Sequence, residues 1–344
     1  MIARRPATGL KFGRHLKLRN IGLALGLMGV MSSLAPPARA EMLPLADMLR
    51  GFEVTPAQCA ATPNTAWVSA MQTSVCMRYY ISAAGGSGPN PVVFLQGDKF
   101  GFFNQATGTF DLVARFDHDI DTRNLQRMAD LYSTTAGTTG IYLARVGIDG
   151  SSGFHGVRET NLELNLTNAA LEVIKQRYRF TGFNLVGQSG GSALIGGLLA
   201  LRNDIVCAVP GSGPLAWPKL VNGPHLRPLD RFFPMEQVQM IVRNGSGRIL
   251  VLTDPQDQRV PAAHQTPFVQ ALQRAGGRIE QFFVQATDPN HHGVQAYTYR
   301  TMAGCLHGAS HDEIAGALGD VQLRLLARAS GAPPAGAIPM GAPL

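Results

Sequence analysis

The chain has 344 residues, 45% of them apolar, with 30 Lys and Arg against 23 Asp and Glu for a formal charge of +7. Seven of the basic residues and none of the acidic ones lie in residues 1–40, so residues 41–344 carry 23 charges of each sign. The basic balance belongs to the first forty residues, which removes the compositional case for nucleic-acid binding, and the length and apolar content suit one large α/β core.

Residues 1–40 read as an export signal. Arg4, Arg5, Lys11, Arg14, Lys17 and Arg19 form a basic segment, Ile21–Leu34 an apolar core, and Ala38-Arg39-Ala40 a small-x-small cleavage site before Glu41. The 14-residue apolar run is short for a bilayer crossing and no later run is long enough, so no stable membrane span is expected after cleavage. The expected location is therefore periplasmic or secreted. Four cysteines in an oxidising compartment allow three connectivities; Cys59 and Cys76 bracket a short segment and are expected to pair, while Cys207 with Cys305 stays open. Their spacing suits neither a zinc site nor a redox pair.

Residues 41–90 read as an N-terminal extension with a strand or two, such as Ser74–Ser82, ending in the turn-rich run GGSGPNP. The main domain is expected over 91–330. Pro91–Leu95 is a short apolar run typical of a buried strand, and it leads directly into Gln96-Gly97-Asp98. Asp117, Asp119 and Asp121 are spaced like the start of a calcium loop. Thr122 and Met128 stand where glycine and a bidentate glutamate are needed, so a solvated acidic loop and no metal are expected. Asp121–Thr135 has helical spacing, with Leu125, Met128, Ala129 and Tyr132 on one face; Ile141–Ile148 reads as strand and Asn168–Tyr178 as helix. Between them, Ser151, Ser152 and His155 read as loop formers.

Phe183–Leu201 reads as buried strand, tight turn and helix, and Ile205–Val209 as another buried strand. Residues 211–247, rich in Gly, Pro and aromatics, break the alternation and read as a small inserted cap. Within it Trp217, Phe232 and Phe233 either line a pocket or pack the cap onto the sheet. Arg248–Thr253, Pro261–Arg274 and Arg278–Val284 resume strand, helix, strand; Val294–Leu306 and His311–Ala329 close the domain as helices, and 331–344 is a Pro- and Ala-rich tail expected to be mobile. Strands alternating with helices in this way imply a mostly parallel sheet with helices on both faces. Such a sheet gathers its functional loops at the carboxyl ends of the strands.

The turn in Phe183–Leu201 reads Gly187-Gln188-Ser189-Gly190-Gly191, a G-x-S-x-G pattern in which glycines flank a serine where the backbone must turn sharply. A serine hydroxyl is a poor nucleophile at neutral pH. Ser189 needs a histidine to take its proton and a carboxylate to orient that histidine. Asp254 and Asp257 follow one late strand, and His291 and His292 follow the next. Position alone leaves both choices open.

On GQSGG, on DQRVP at 257–261 and on HHG at 291–293, in that order, the stretch Pro91–Leu306 resembles the α/β-hydrolase family. The resemblance implies an α/β-hydrolase fold, with Ser189 as nucleophile, Asp257 as acid and His292 as base, leaving Asp254 and His291 as alternates. It also implies an oxyanion hole from the backbone N–H groups of Gly190 and Asp98. Many relatives have His-Gly where this chain has Gln96-Gly97, and an Asp98 carboxylate beside a developing anion would have to point away. The loop Gly150–Gly153, with His155 and Arg158, is similar to the prolyl-oligopeptidase-like branch. The implied activity is that of an exported serine hydrolase cleaving a small-molecule carboxylic ester without a metal or organic cofactor. A peptidase or amidase with the same residues, and a non-catalytic binding protein on the same fold, are the alternatives.

Overall fold

The computed structural model describes residues 41–83, 88–99, 101–104, 109–112, 120–217, 230–245 and 247–329. The expected export signal, the tail 331–344, and Asp117 and Asp119 lie outside them. In chain order the elements are β1 (Met42–Leu43), α1 (Leu45–Arg50), α2 (Pro56–Ala61), β2 (Thr65–Ala70), β3 (Thr73–Ile81), β4 (Val92–Leu95), β5 (Gly101–Asn104), β6 (Thr109–Leu112) and β7 (Ile120–Asp121). They continue with α3 (Thr122–Ala136), β8 (Gly140–Leu143), α4 (Asn161–Tyr178), β9 (Phe183–Gln188), α5 (Gly190–Leu201) and β10 (Ile205–Gly211). The last six are α6 (Val238–Arg243), β11 (Arg248–Thr253), α7 (Thr266–Arg274), β12 (Ile279–Phe283), α8 (Gln295–Leu306) and α9 (His311–Ala329).

Eight strands form one sheet in the order β12-β11-β10-β9-β4-β8-β3-β2. Neighbours from β8 to β12 run parallel, and β3 is antiparallel to both β8 and β2. The parallel strands read as continuous apolar runs because both faces are covered. Alternation along them sends Val93, Leu95, Leu185, Ile249 and Val251 to one face, packed with α4, α5, α6 and α7. Val92, Phe94, Val186, Leu250 and Leu252 go to the other, packed with α3, α8 and α9. The chain leaves β4 for β8 on one side and returns to β9 on the other, so the sheet reverses its winding at β4 and β9. Their carboxyl ends open the crevice where α/β sheets place their chemistry.

Several boundaries differ from the sequence reading for identifiable reasons. β8 stops at Leu143 instead of Ile148, because Gly147 (φ 74) and Asp149 (φ 55) turn the chain in the left-handed region. α4 starts at Asn161 instead of Asn168; Thr160 caps it by accepting from the Glu163 N–H at 3.3 Å. Asp121 caps α3, its carboxylate accepting from the Arg123 N–H at 2.9 Å. Within 211–247, residues 218–229 lie outside the described residues, while α6 packs against α5 and α7 with Val238 and Ile241 buried. Both cysteine pairs form disulfides: Cys59–Cys76 ties α2 to β3, and Cys207–Cys305 ties β10 to α8.

Candidate active site

β9 ends at Gln188 and α5 begins at Gly190, leaving Ser189 alone to make the turn at φ 55, ψ −123. A side-chain-bearing residue held there costs about 1–3 kcal/mol, which surrounding contacts must offset. The Ser189 N–H donates to the Gly211 carbonyl of β10 at 2.9 Å, and the Ser192 N–H donates to the Ser189 carbonyl at 2.8 Å. Ser192 Oγ bonds the Gly211 carbonyl at 2.8 Å and the Gly211 N–H at 2.9 Å, fixing the first helical turn against β10. The turn also presses against the end of β4. A Cβ on Gly191 would sit 2.1 Å from the Leu95 carbonyl oxygen, and one on Gly97 would sit 2.9 Å from Ser189 Cβ. These two glycines exist for close approach, and they leave Ser189 half-buried at the switch point.

Two histidine–carboxylate pairs stand side by side beyond β11 and β12. His292 Nδ1 lies 3.0 and 2.9 Å from the two oxygens of Asp257, whose Oδ1 also accepts from the N–H groups of Arg259 and Val260 at 2.9 Å. His291 Nδ1 lies 3.2 Å from Asp254 Oδ2, and Asp254 further accepts from the N–H groups of Gln256 at 2.8 Å and Ala286 at 2.7 Å. Asp254 and Asp257 are buried. A carboxylate only accepts, so each imidazole presents a protonated Nδ1 to its partner and, when neutral, a lone pair on Nε2. Asp254 thus knits the ends of β11 and β12 together, whereas Asp257 turns both oxygens to His292 while Oδ1 also holds its own turn.

The loop carrying the histidines is tightly held. Asp288 accepts from the N–H groups of Asn290 at 3.2 Å, His292 at 3.0 Å and Gly293 at 2.7 Å. Burial alone would raise the Asp288 carboxyl, but these N–H groups and the nearby His292 outweigh it and hold it below its ordinary value. A further hold reaches across the sheet: Gln188 Nε2 donates to the His292 carbonyl at 2.8 Å. The residue before Ser189 therefore grips the residue paired with Asp257, bringing segments more than a hundred positions apart to one rim.

On the other side of Ser189, Gly190 and Gly191 open α5, so their N–H groups belong to the first helical turn and have no intrahelical partner. Asp98 sits beside them. Its carboxylate stays close, since a Cβ on Gly190 would lie 2.5 Å from Asp98 Oδ1. Its charge is met by Arg145 Nη1 at 2.7 Å, Arg158 Nε at 3.3 Å and His155 Nε2 at 3.7 Å. Burial pushes the Asp98 carboxyl up, but Arg145, His155 and Arg158 together hold it well below the carboxylate range. Arg145 is fully buried and is gripped from behind by Glu163 at 2.8 and 3.0 Å. Next to Asp98, Lys99 pairs with the buried Asp149, which also accepts from the Tyr142 hydroxyl. Glu159, buried in the same cluster and 3.3 Å from Arg231, is pushed up to about 7 by burial and by the Asp98 charge, against its surrounding arginines.

The sequence reading named Ser189, Asp254, Asp257, His291, His292, Gly190 and Asp98, and all seven fall at this rim. Ser151 and Ser152 serve the loop, accepting from the N–H groups of Arg78 and Cys76. His155 does more than shape its loop, joining the Asp98 cluster while its Nδ1 bonds the Val146 carbonyl at 3.0 Å. Trp217 stacks on His264, and Phe232 packs onto the core against Gly197. Arg145, Glu163, Asp288 and Gln188 were not singled out. A Gly-x-Ser-x-Gly motif points to its serine, and nothing in it points to the amide one residue earlier.

No protein-family profile matches the chain. No curated protein matches it either. Among solved structures it is similar to a Pyrococcus furiosus esterase, at 12% identity and TM-score 0.48 over 75% of this chain and 95% of that one. It is also similar to Pyrococcus horikoshii acylaminoacyl peptidase, at 13% identity and TM-score 0.47 over 72% of this chain and 40% of that one. A third is a Mycobacterium smegmatis proline iminopeptidase, at 11% identity and TM-score 0.47 over 71% and 98%. The chain's own topology is decisive: with a mostly parallel eight-stranded sheet, one antiparallel strand next to its edge and a strand–serine–helix elbow at the switch point, the chain has the α/β-hydrolase fold.

Proposed function

We propose that the chain is an exported serine hydrolase that cleaves a carboxylic ester through an acyl-enzyme on Ser189. The observation that carries this reading is the pairing of His292 Nδ1 with Asp257 while the His292 carbonyl is held by the neighbour of Ser189. Ser189 Oγ attacks the ester carbonyl as His292 Nε2 takes its proton, and Asp257 keeps Nδ1 protonated and stabilises the imidazolium. The oxyanion is received by the backbone N–H groups of Gly190 and Asp98, each worth about 10²–10³ in rate by analogy with other oxyanion donors. Collapse expels the alcohol with the proton from His292. Water then attacks the acyl group with His292 again as base, releasing the acid and restoring the serine.

The cancelled charge of Asp98 supports this assignment. A bare carboxylate beside Gly190 would oppose a developing anion, whereas one paired with Arg145 and Arg158 does not. Two disulfides are consistent with an oxidising destination. The test is turnover of short-chain aryl esters by residues 41–344, beside matched peptide amides. Ser189→Ala is expected to lower ester turnover by at least about 10³-fold. Undiminished activity in that variant removes Ser189 from the chemistry, and turnover of the amide but not the ester makes the chain a peptidase or amidase.

A further inference from the structure

Gln188 is 6% exposed, and its amide meets the protein on one side only. Nε2 donates to the His292 carbonyl at 2.8 Å, while Oε1 is buried with no hydrogen-bond partner among the described residues. Leaving a buried amide oxygen unpaired costs about 1–3 kcal/mol, so an apolar side chain of the same shape would serve stability as well or better. The His292 carbonyl does not need the amide for its own satisfaction either, because it also accepts from the Val294 N–H at 3.1 Å. The contact is thus poorly explained as a contribution to folding.

Its geometry gives it another use. The other hydrogen bonds on the histidine loop tie it to itself through Asp288, or to the loop after β11 through Asp257, Asp254 and the Gln258 N–H, which donates to the Asn290 carbonyl at 2.9 Å. Val294, after the loop, packs on Gly211 of β10, but none of these hydrogen bonds reaches β9 or the turn at Ser189. That of Gln188 does, since it belongs to β9 and adjoins Ser189 in the chain. We infer that Gln188 is a positioning residue that sets the distance between the His292 imidazole and Ser189 by clasping the His292 carbonyl. This rests on the serine-hydrolase reading above. In a proton transfer between oxygen and nitrogen, a displacement of about 1 Å can cost on the order of 10²-fold in rate.

The test uses two substitutions of nearly the same shape. Gln188→Met removes the donor and the orphaned oxygen together. It is expected to lower kcat for an aryl ester by about 10–100-fold with KM within about twofold, to slow fluorophosphonate labelling by the same factor, and to leave Tm unchanged or raised. Gln188→Glu adds a signature that a packing role would not produce. A buried neutral carboxylic acid donates to a carbonyl and a carboxylate cannot, so its activity relative to the parent chain is expected to rise as pH falls from about 8 to about 5. The corresponding ratio for Gln188→Met stays flat. Parental kcat in Gln188→Met, a loss confined to the fraction of active molecules, or a pH-flat Gln188→Glu ratio would each overturn the clasp. The underlying reading fails separately: if the parent chain is not labelled, or Ser189→Ala stays active, the site assignment is at fault. A labelled parent with Gln188→Met labelled at the same rate sinks the clasp alone.

Discussion

Ser189 holds a backbone conformation that few residues other than glycine adopt, and the two glycines that matter most nearby, Gly97 and Gly191, are there because a Cβ would strike the neighbouring chain. Such demands are local, which is why the sharp turn at the serine is legible from five letters. The choice between the adjacent histidines is not. Both have carboxylate partners; the resemblance to other hydrolases favours His292, which in the structure contacts Asp257 and Gln188. The contrast predicts a large asymmetry. His292→Ala is expected to lower kcat by at least about 10³-fold, whereas His291→Ala, which loses a contact at 3.2 Å to a carboxylate already bonded to two N–H groups, is expected to stay within about tenfold. Ester turnover of the two variants at equal folded concentration checks this, and equal losses would contradict it.

At the scale of elements, what the sequence hid was charge pairing across long separations. The start of α4 was read seven residues late because Asn161, Glu163 and Asn165 interrupt the apolar pattern. Glu163 is there to grip Arg145, which in turn holds Asp98 beside the elbow. Arg145 follows directly on the short β8, and the chain turns away at Gly147 and Asp149 soon after that guanidinium is placed. A polar residue meeting a buried partner carries no period, so pattern reading sees a break where the fold has a joint. Glu159 makes this cluster sensitive to pH. Its folded value near 7 lies above its ordinary 4.5, so between those values the folded state binds more protons than the unfolded one. Glu159 therefore makes stability fall as pH rises through that window. Asp98 acts in the opposite sense and only in acid, because its depressed carboxyl gives stability that is lost as pH drops below its ordinary 3.8. Glu159→Gln is expected to flatten the fall of Tm from about pH 4.5 to about 7 and to gain on the order of 1–3 kcal/mol at about pH 8. Thermal melts across that range measure it, and an unchanged slope would show that Glu159 is not the group responsible.

For the whole molecule, the order of the sheet puts β4 and β9 at its centre, with outward winding on either side; the alternation of strands and helices implies a mostly parallel sheet with helices on both faces, but not that order. The hairpin of β5 and β6 was not anticipated, because its Gly, Phe and Asn residues carry no clear alternation. The disulfides brace the sheet, one tying β10 to α8 and the other β3 to α2. Cys207–Cys305 closes a span of 98 residues and Cys59–Cys76 one of 17. Restricting the unfolded chain over the longer span stabilises more, so replacing Cys207 and Cys305 together by Ala is expected to lower the unfolding free energy by about 2–5 kcal/mol, and replacing Cys59 and Cys76 by less. Denaturant titration of both double variants compares them, and the reverse ranking would contradict the loop-entropy account.

The proposed function rests on one hydroxyl, that of Ser189. The most direct measurement is the intact mass of residues 41–344 after exposure to a fluorophosphonate, followed by peptide mapping of the adduct. A single adduct on the peptide containing Ser189, lost on unfolding and in His292→Ala but kept in His291→Ala, is the predicted result. An unlabelled folded chain, or an adduct on another residue, would contradict it.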